Sequence, residues 1–351
     1  MEFGNNKLLN INESEDNLTD ISFVGSYSIN KIDQLLSAQV DKLLKEIKKN
    51  VWGFDLMLCF FIAALNSYRS DRCLRPFPTL YMNEDGKNVN LLRNTCDSIP
   101  PLNTLLCEPN ECSQEVNKLL IWLFLEKPHP ILKRINFKDV PFPSKVSTAF
   151  KPHFIFEVCY HDKFESMWHK RQDGRDIIFA YHGTAVDNFY SILKVGLQQH
   201  FSIEKEVLFG NGIYLSNELS LSAHYAPFGQ TWANSALGSK HSVIAVCEII
   251  NDVQKVKCKD AKNKRRSINE DSFGEIPEKY FVVTDSDMVR VKYLMIYKQK
   301  GFISVKSFIA KHLFLCLVLL YCIFIICIGI FSNSAAYIKF LRKFDIFFSF
   351  D

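Results

Sequence analysis

The chain has 351 residues, which is enough for two domains of ordinary size. Hydrophobic residues make up 48% of it and charged residues 23%, which excludes a wholly disordered, collagen-like or simple coiled-coil protein. Lys and Arg number 42 and Asp and Glu 38, so the net charge is only +4 and gives no reason to expect a nucleic-acid partner.

The 11 cysteines include no CxxC pair and no Cys/His set with zinc-finger spacing. Cys316, Cys322 and Cys327 lie inside one apolar run. The cysteine pattern therefore favours free thiols in a reducing compartment over a disulfide framework or a structural metal site.

The N-terminal part is predicted to be helical after a disordered leader at 1–25. The first residues are polar and acidic and contain no apolar stretch of the kind found in a signal peptide. Apolar residues then recur at helical spacing in 32–47, 55–68 and 114–125, and Arg75-Pro76-Phe77-Pro78 is expected to end the second helix. The Pro-rich stretch 141–144 resembles a linker.

After about residue 150 the pattern changes to strands. Short segments rich in β-branched and aromatic residues occupy 153–161, 176–182, 241–250, 279–284 and 290–297. A helix lies between them, with Asp187 as its expected cap and Gly196 at its expected C-terminal end. These patterns predict an α+β protein, in which a helical N-terminal domain precedes a domain with a mixed, mostly antiparallel sheet.

The C-terminus contains an uncharged run, LFLCLVLLYCIFIICIGIF, from Leu313 to Phe331. As a helix it would extend roughly 28 Å, close to the hydrocarbon thickness of a bilayer. A buried core helix normally keeps a polar face, so a transmembrane helix is the favoured interpretation. Since the run lies so near the C-terminus, we expect a tail anchor with the preceding residues in the cytosol and a short lumenal tail at 332–351. The span alone does not separate the endoplasmic reticulum from the mitochondrial outer membrane.

Residues with potential chemistry form a distributed set. No Walker A, GxGxxG, HExxH or GxSxG motif occurs. Tyr181-His182-Gly183-Thr184 ends a predicted strand, Phe209 to Leu215 read FGNGIYL, Ser222 and Tyr225 follow, and Lys279-Tyr280 begins another predicted strand. Singly, a histidine at a strand end is usually structural and a tyrosine in a strand is usually core. The ordered set is much more specific.

In this order the set resembles the diphtheria-toxin-like ADP-ribosyltransferases of the poly(ADP-ribose) polymerase family, over about residues 152–297. The segments 74–78 and 245–248 further resemble the family's tail-anchored endoplasmic-reticulum member, which also has a helical domain, a transferase domain and a C-terminal span. We therefore expect a helical domain at 26–140, a catalytic domain at 150–298, a basic linker at 299–312 and the span at 313–331.

The resemblance implies NAD as co-substrate, without a metal, and assigns a role to each residue of the set. His182, assisted by Thr184, would hydrogen-bond the ribose of the adenosine half. Gly183 and Ser222 would hold the nicotinamide carboxamide, which needs donors and an acceptor in fixed geometry. Tyr214 and Tyr225 would sandwich the nicotinamide ring.

Tyr280 takes the position at which polymerising members of the family carry a glutamate. A phenol with a pKa near 10 is neutral at pH 7 and cannot act as a ready general base. The catalytic set His182, Tyr214 and Tyr280 therefore implies transfer of single ADP-ribose units to protein side chains, including the protein's own, with release of nicotinamide. The alternative is a catalytically silent membrane scaffold that binds NAD.

The resemblance also implies a cellular setting, the membrane of the endoplasmic reticulum and the nuclear envelope. It links the chain to the unfolded-protein response through membrane stress-sensor kinases. A basic run at 255–266 stands apart from these motifs and is expected to form a solvated hairpin loop, in preference to a contact with an acidic membrane or partner.

Overall fold

The computed structural model describes residues 34–126, 129–144, 146–199, 208–269, 272–299, 313–332 and 339. The predicted leader, nearly all of the predicted basic linker and nearly all of the predicted lumenal tail lie outside these ranges. The chain divides into two compact units, Met1–Gln299 and Lys300–Asp351.

The first part of the larger unit is helical, as the apolar spacing predicted. The helices are α1 (34–49), α2 (Val51–Asn66), α3 (Ser70–Cys73), α4 (Val89–Asp97), α5 (Leu102–Cys107) and α6 (Gln114–Ile121), with a π-helical turn over Trp122–Glu126. The side chain of Asn50 caps α2 by accepting from the backbone N–H of Gly53 at 3.2 Å. Most of α2 is buried, and the helix ends at Asn66, where Ser67 turns extended. The expectation that Arg75-Pro76 ends this helix is therefore wrong.

A long sheet follows the helical part. A small hairpin, β1 (Met82–Asn83) with β2 (Gly86–Lys87), precedes it. The sheet contains β3 (Ile131–Ile135), β4 (Phe154–Cys159), β5 (Ile177–Gly183), β6 (Ile213–Ser216), β7 (Gly229–Gln230), β8 (Lys240–Ile250), β9 (Val256–Lys257), β10 (Tyr280–Val283) and β11 (Val289–Lys298). Its order is β3-β4-β11-β8-β5-β6-β10-β9, and β7 pairs with β8. Every strand pair formed by the described residues is antiparallel, which corrects the expectation of a mixed sheet.

Three helices accompany the sheet: α7 (Asp162–Gln172), α8 (Phe189–Val195) and α9 (Leu219–His224). Gly196 ends α8 with φ 81°, as predicted. Asp187 does not cap α8, because it lies in a 3₁₀ turn at Val186–Asn188 and its carboxylate accepts the hydroxyl of Ser67 instead. A partner from a distant part of the chain has replaced the local cap.

The two faces of the sheet pack against different material. Phe156, Ala245 and Leu294 belong to a core that continues into the helical part, where Phe60 stacks on Phe189 with ring centroids 5.4 Å apart. The other face carries a smaller cluster that includes Tyr181. Phe142 packs against this cluster, so the predicted linker at 141–144 lies along the sheet.

The basic run at 255–266 is only partly solvated. Lys255 pairs with Asp285, and Arg266 is buried, with its Nε donating to the carbonyl oxygen of Val256 at 3.0 Å. Lys262 and Lys264 are exposed, as the loop prediction requires. The run therefore combines a solvated turn with two cations fixed in the fold.

The smaller unit contains α10 (Leu313–Ser332), a helix of 20 residues. No helix within the described residues meets the length and apolarity required of a membrane span. Every cysteine whose side chain the structure describes is a free thiol.

Candidate active site

His182 lies next to the last residue of β5, where that strand meets β6. The two strands pair at one position only, Tyr181 with Ser216. Just beyond this pair the imidazole Nδ1 of His182 lies 3.0 Å from the backbone oxygen of Tyr214. The side chain thus joins the two halves of the sheet where the regular ladder stops.

Gly183 and Ser222 lie in close contact. A Cβ atom built on Gly183 would lie 1.8 Å from the backbone oxygen of Ser222, so no larger residue fits. Ser222 itself is buried in α9, and its hydroxyl donates to the backbone oxygen of Tyr181 at 3.2 Å. A hydroxyl whose proton is used in this way still offers lone pairs to an amide donor.

Tyr214 is anchored by its own hydroxyl group. The hydroxyl donates to the backbone oxygen of Gly210 at 2.7 Å and accepts from the N–H of Phe209 at 3.1 Å. Gly212 has φ 158°, and a Cβ there would lie 2.5 Å from a methyl carbon of Val282. The FGNGIY segment therefore folds back on its own tyrosine and fixes the ring beside the end of β5.

Tyr280 begins β10 and pairs with Ser216 of β6. Its ring centroid lies 5.4 Å from that of Phe209. Tyr225, which follows α9, is 61% exposed and close enough to influence the titration of Tyr280. Tyr280 thus packs beside the ring of Phe209, and the ion pair of Glu218 with Lys279 lies close enough to influence its titration.

Thr184 is oriented by its neighbour in the following turn. Its Oγ1 accepts from the Nδ2 of Asn188 at 2.7 Å. The threonine follows Gly183 directly and is half-buried, so its position depends on the conformation of residues 184–188.

The titratable groups of the site favour neutral forms. Burial lowers the pKa of His182 below its ordinary value, although the hydrogen bond to the Tyr214 backbone opposes the shift. Burial raises the pKa of Tyr280, and Tyr225 and Glu218 act in the same direction. Burial also raises the pKa of Tyr214. Glu218 is held by Lys279 at 2.7 Å.

The arrangement suits a ligand that presents hydroxyl groups, a carboxamide and a flat ring. Because a carbonyl oxygen can only accept, Nδ1 of His182 carries the proton and Nε2 is left as an acceptor for a hydroxyl group. Gly183 allows a close backbone approach, Ser222 offers a hydroxyl, and Tyr225 offers an exposed aromatic face. These features fit the ribose hydroxyls, carboxamide and ring of NAD.

The structure brings His182 against Tyr214 and Gly183 against Ser222, and it places Tyr225 near Tyr280. Two neighbours of these residues received no role from the sequence. Phe209 contacts Tyr214 and Tyr280, with ring centroids 6.4 Å and 5.4 Å away, respectively. Asn269 is buried and donates to the backbone oxygens of Phe209 and Asn211, each at 3.0 Å. Phe209 is the first residue of the FGNGIYL motif, whereas no local sequence pattern points to Asn269.

Two cavities formed by the described residues lie away from this set. One of about 570 Å³ is lined by Asn50, Phe54 and His129, and another of about 320 Å³ by Trp168 and Arg290. None of the predicted site residues lines either cavity. No cluster of metal-ligating side chains occurs among the residues that the structure describes.

Comparisons with known proteins match both the helical part and the sheet-containing part of the chain. The profile of the poly(ADP-ribose) polymerase catalytic domain matches residues 144–299, and that of the ARTD15 N-terminal domain matches 45–124. Protein mono-ADP-ribosyltransferase PARP16 of Mus musculus is 35% identical over 311 residues, covering 84% of this chain and 95% of the relative.

PARP16 of Homo sapiens is 34% identical over 308 residues, covering 82% and 92% of the two chains. Protein mono-ADP-ribosyltransferase PARP8 of Mus musculus is more distant, at 24% identity over 201 residues, 52% of this chain and 23% of the relative. The chain is thus homologous to PARP16 over nearly the whole length of that protein, and it belongs to the poly(ADP-ribose) polymerase family.

Proposed function

We propose that the protein transfers single ADP-ribose units from NAD to protein side chains, including its own. The observation that carries the proposal is Tyr280, a phenol among aromatic neighbours at the position opposite Ser216. It adjoins a set of contacts, His182 with Tyr214 and Gly183 with Ser222, that suits NAD. The names of the PARP16 relatives describe mono-ADP-ribosyltransferases and support the same reaction.

The reaction is a glycosyl transfer. The bond between C1′ of the ribose and the nicotinamide nitrogen breaks, and nicotinamide leaves with the bonding electron pair. An acceptor side chain supplies the electron pair for the new bond to C1′ and loses its proton to solvent. Since the transition state resembles an oxocarbenium ion, groups that hold the leaving ring and the ribose in place accelerate the step.

Each residue of the site has a proposed role in that step. His182 accepts a hydrogen bond from the adenosine ribose through Nε2, and Thr184 assists. Gly183 and Ser222 hold the carboxamide, and Tyr214 and Tyr225 flank the nicotinamide ring. Tyr280 can donate a hydrogen bond near the reacting ribose but cannot activate the hydroxyl of a growing chain at neutral pH.

We further propose the domain limits and the location that the sequence predicted. The helical domain covers 26–140, the catalytic domain 150–298 and the anchor 313–331, with the catalytic domain in the cytosol at the endoplasmic reticulum and nuclear envelope. The anchor proposal rests on the uncharged run and on the exposed apolar side chains of α10, among them Phe314 and Phe324. Stress-sensor kinases of that membrane are proposed acceptors.

A silent NAD-binding scaffold is the second candidate, and Tyr280 favours it because the site lacks a carboxylate there. Incubating the detergent-solubilised full-length protein with NAD labelled in the adenosine half separates the possibilities. We expect label on the protein in one sharp band. A ladder collapsed by a poly(ADP-ribose)-degrading enzyme would mean a polymerase, and saturable NAD binding without any label would mean a scaffold.

The anchor is tested by removing it. A chain ending before Lys311 should be soluble and keep its labelling activity, whereas the full-length protein should resist carbonate extraction. Protease added outside sealed microsomes should digest the N-terminal part. Protection of that part would show that the proposed orientation is wrong.

A further inference from the structure

The turn between α2 and α3 is hydrogen-bonded to the segment that follows Gly183. Ser67, the first residue after α2, donates its hydroxyl to Oδ2 of Asp187 at 2.5 Å. The same hydroxyl oxygen accepts from the backbone N–H of Arg69 at 3.1 Å. Ser67 therefore ties its own turn and the 3₁₀ turn at Val186–Asn188 together.

A second connection runs from α3 to Thr184. The thiol of Cys73, which is buried, donates to Oδ1 of Asn188 at 3.2 Å. The Nδ2 of Asn188 then donates to Oγ1 of Thr184 at 2.7 Å. With its amide oxygen on the thiol and its amide nitrogen on the hydroxyl, Asn188 has one orientation that satisfies both neighbours.

Aromatic packing next to the hydrogen bonds of Ser67 and Asn188 further connects the helical part to α8. Phe61 meets Tyr190 edge-on with ring centroids 5.1 Å apart, and the hydroxyl of Tyr190 donates to the backbone oxygen of Pro76 at 3.1 Å. Burial and aromatic contacts thus hold the start of α8 against the helical part. Each residue from Asp187 to Tyr190 therefore contacts the helical part through its side chain.

Asp187 accepts a side-chain hydrogen bond from Ser67 and forms an ion pair with Arg69. The Nη2 of Arg69 lies 3.8 Å from Oδ2 of Asp187, outside hydrogen-bond distance. The Oδ1 of Asp187 is buried and has no hydrogen-bond partner among the described residues. Because a buried carboxylate is costly without donors, removing the Ser67 hydroxyl should release this segment rather than leave it unchanged.

We propose that Ser67 and Cys73 are positioning residues for the donor site: through Asp187 and Asn188 they fix Thr184, so that the helical part of the chain sets the affinity for the adenosine half of NAD. The inference rests on the proposed function, because it takes Thr184 as part of the adenosine subsite. If the inference holds, contacts from the helical part increase the affinity of the catalytic part for its substrate.

The test compares binding of the two halves of NAD to full-length protein in detergent. The probes are ADP-ribose, which contains the adenosine half, and nicotinamide. Ser67→Ala should weaken ADP-ribose binding by about fivefold, less than the loss of a whole hydrogen bond to a charged partner, because Ser67 acts on the ligand only indirectly, through Asp187 and the turn that holds Thr184. Nicotinamide affinity should change by less than about twofold, and KM for NAD should rise more than kcat falls.

Asn188→Ala interrupts the second connection and should give the same selective loss. Ser67→Thr keeps the hydroxyl and should restore ADP-ribose affinity. The matched control is Ser98→Ala, which removes an exposed hydroxyl of the helical part that donates to the backbone oxygen of Asn94 at 3.0 Å. It should leave both affinities unchanged.

Two results would overturn the proposal while leaving the enzyme function intact. In the first, both variants bind ADP-ribose as tightly as the wild type. In the second, both halves of NAD lose affinity equally, which would indicate a general loosening of the fold. If the wild-type protein bound neither probe and took up no label, the proposed function itself would fall, and the positioning role with it.

Discussion

The Nδ1 atom of His182 lies 3.0 Å from the backbone oxygen of Tyr214, and this contact fixes the imidazole tautomer. The carbonyl accepts the Nδ1 proton, so Nε2 of the neutral ring can only accept. In the proposed NAD site, a ribose hydroxyl would donate to Nε2. The same bond couples the strand that carries His182 to the strand that carries Tyr214.

Alanine substitutions of His182 and Tyr214 should weaken the binding of different halves of NAD. His182→Ala removes the ribose acceptor and should weaken ADP-ribose binding by roughly 1 kcal/mol or more. Tyr214→Ala removes a ring beside the nicotinamide, worth about 0.5–1.5 kcal/mol beyond area burial, and should weaken nicotinamide analogues more than adenosine analogues. Calorimetric titration with the two kinds of analogue measures both effects.

Tyr214→Phe is the matched control for the second variant. It keeps the ring and removes only the bonds to Phe209 and Gly210. We expect it to retain more nicotinamide affinity than Tyr214→Ala while lowering the melting temperature. If both alanine variants stay folded and label as fast as wild type, these residues do not form the catalytic site.

The Tyr280 side chain should limit the product to one ADP-ribose per acceptor site. Tyr280→Glu introduces a carboxylate at the start of β10, beside the ring of Phe209. We expect sharp labelled bands from both proteins, because chain extension also requires a binding site for the acceptor ADP-ribose. Gel electrophoresis before and after treatment with a poly(ADP-ribose)-degrading enzyme provides the readout, and a ladder from wild type would contradict the prediction.

Gly183 should tolerate no side chain. In Gly183→Ala the new methyl group would lie 1.8 Å from the backbone oxygen of Ser222, so β5 and α9 must separate. We expect loss of labelling and a lower melting temperature. Gly274→Ala is the control, since a Cβ there meets no atom within 4 Å. Equal labelling by the two variants would show that the contact between Gly183 and Ser222 is not needed.

Stability should fall as the pH drops below about 6.5. His241 is fully buried, with Nδ1 3.0 Å from the hydroxyl of Thr231 and Nε2 3.1 Å from the backbone oxygen of Leu237. The backbone oxygen of Leu237 accepts from Nε2–H, so Nδ1 of the neutral ring accepts from the Thr231 hydroxyl. Protonation of Nδ1 would force that hydroxyl to turn its proton away, toward the backbone oxygen of Gly238 at 3.5 Å. Burial lowers the pKa of His241, as it does that of His182.

A depressed histidine pKa means that the unfolded chain binds protons first, near pH 6.5, as the pH falls. The stabilisation is therefore complete above pH 6.5 and is lost as the pH falls through the lower folded pKa, by at most about 1.4 kcal/mol per pH unit and proton. Melting temperatures between pH 7.5 and 5.5 should show the decline. His241→Gln should reduce the slope and His169→Gln, an exposed site, should not; equal slopes would contradict the assignment.

Patterns with a regular period predicted much of the fold. The helix at 32–47 appears at 34–49 and the one at 55–68 at Val51–Asn66, because their apolar residues are buried with helical spacing. The predicted strand 241–250 matches β8, Lys240–Ile250. β3 was missed, since ILKRI has only a short apolar alternation and its identity as a strand depends on pairing with β4.

The motif residues were selected from the sequence because their order is specific, and the structure brings His182 against Tyr214 and Gly183 against Ser222, while their roles stay predictions. The contacts that support them were not recognisable. Asp187 was expected to act locally as a helix cap, but its partner Ser67 lies 120 positions earlier in the chain. Asn269 reaches the FGNGIY segment from a loop about 60 residues later. Such pairings depend on the tertiary fold, so no periodic pattern in the sequence predicts them.

β3 closes one edge of the sheet although it precedes the region matched by the catalytic profile. Its five residues pair with β4 from Ile131 opposite Cys159 to Ile135 opposite Ile155. The Nδ2 of Asn50 at the start of α2 donates to the backbone oxygen of Leu132 at 3.0 Å. A recombination event that carried away residues 144–299 alone would leave β4 as a bare edge open to pairing with other chains. We therefore expect β3 and the catalytic region to be inherited together. A catalytic region transferred without β3 would need another strand to cover the edge of β4 before it could stay soluble.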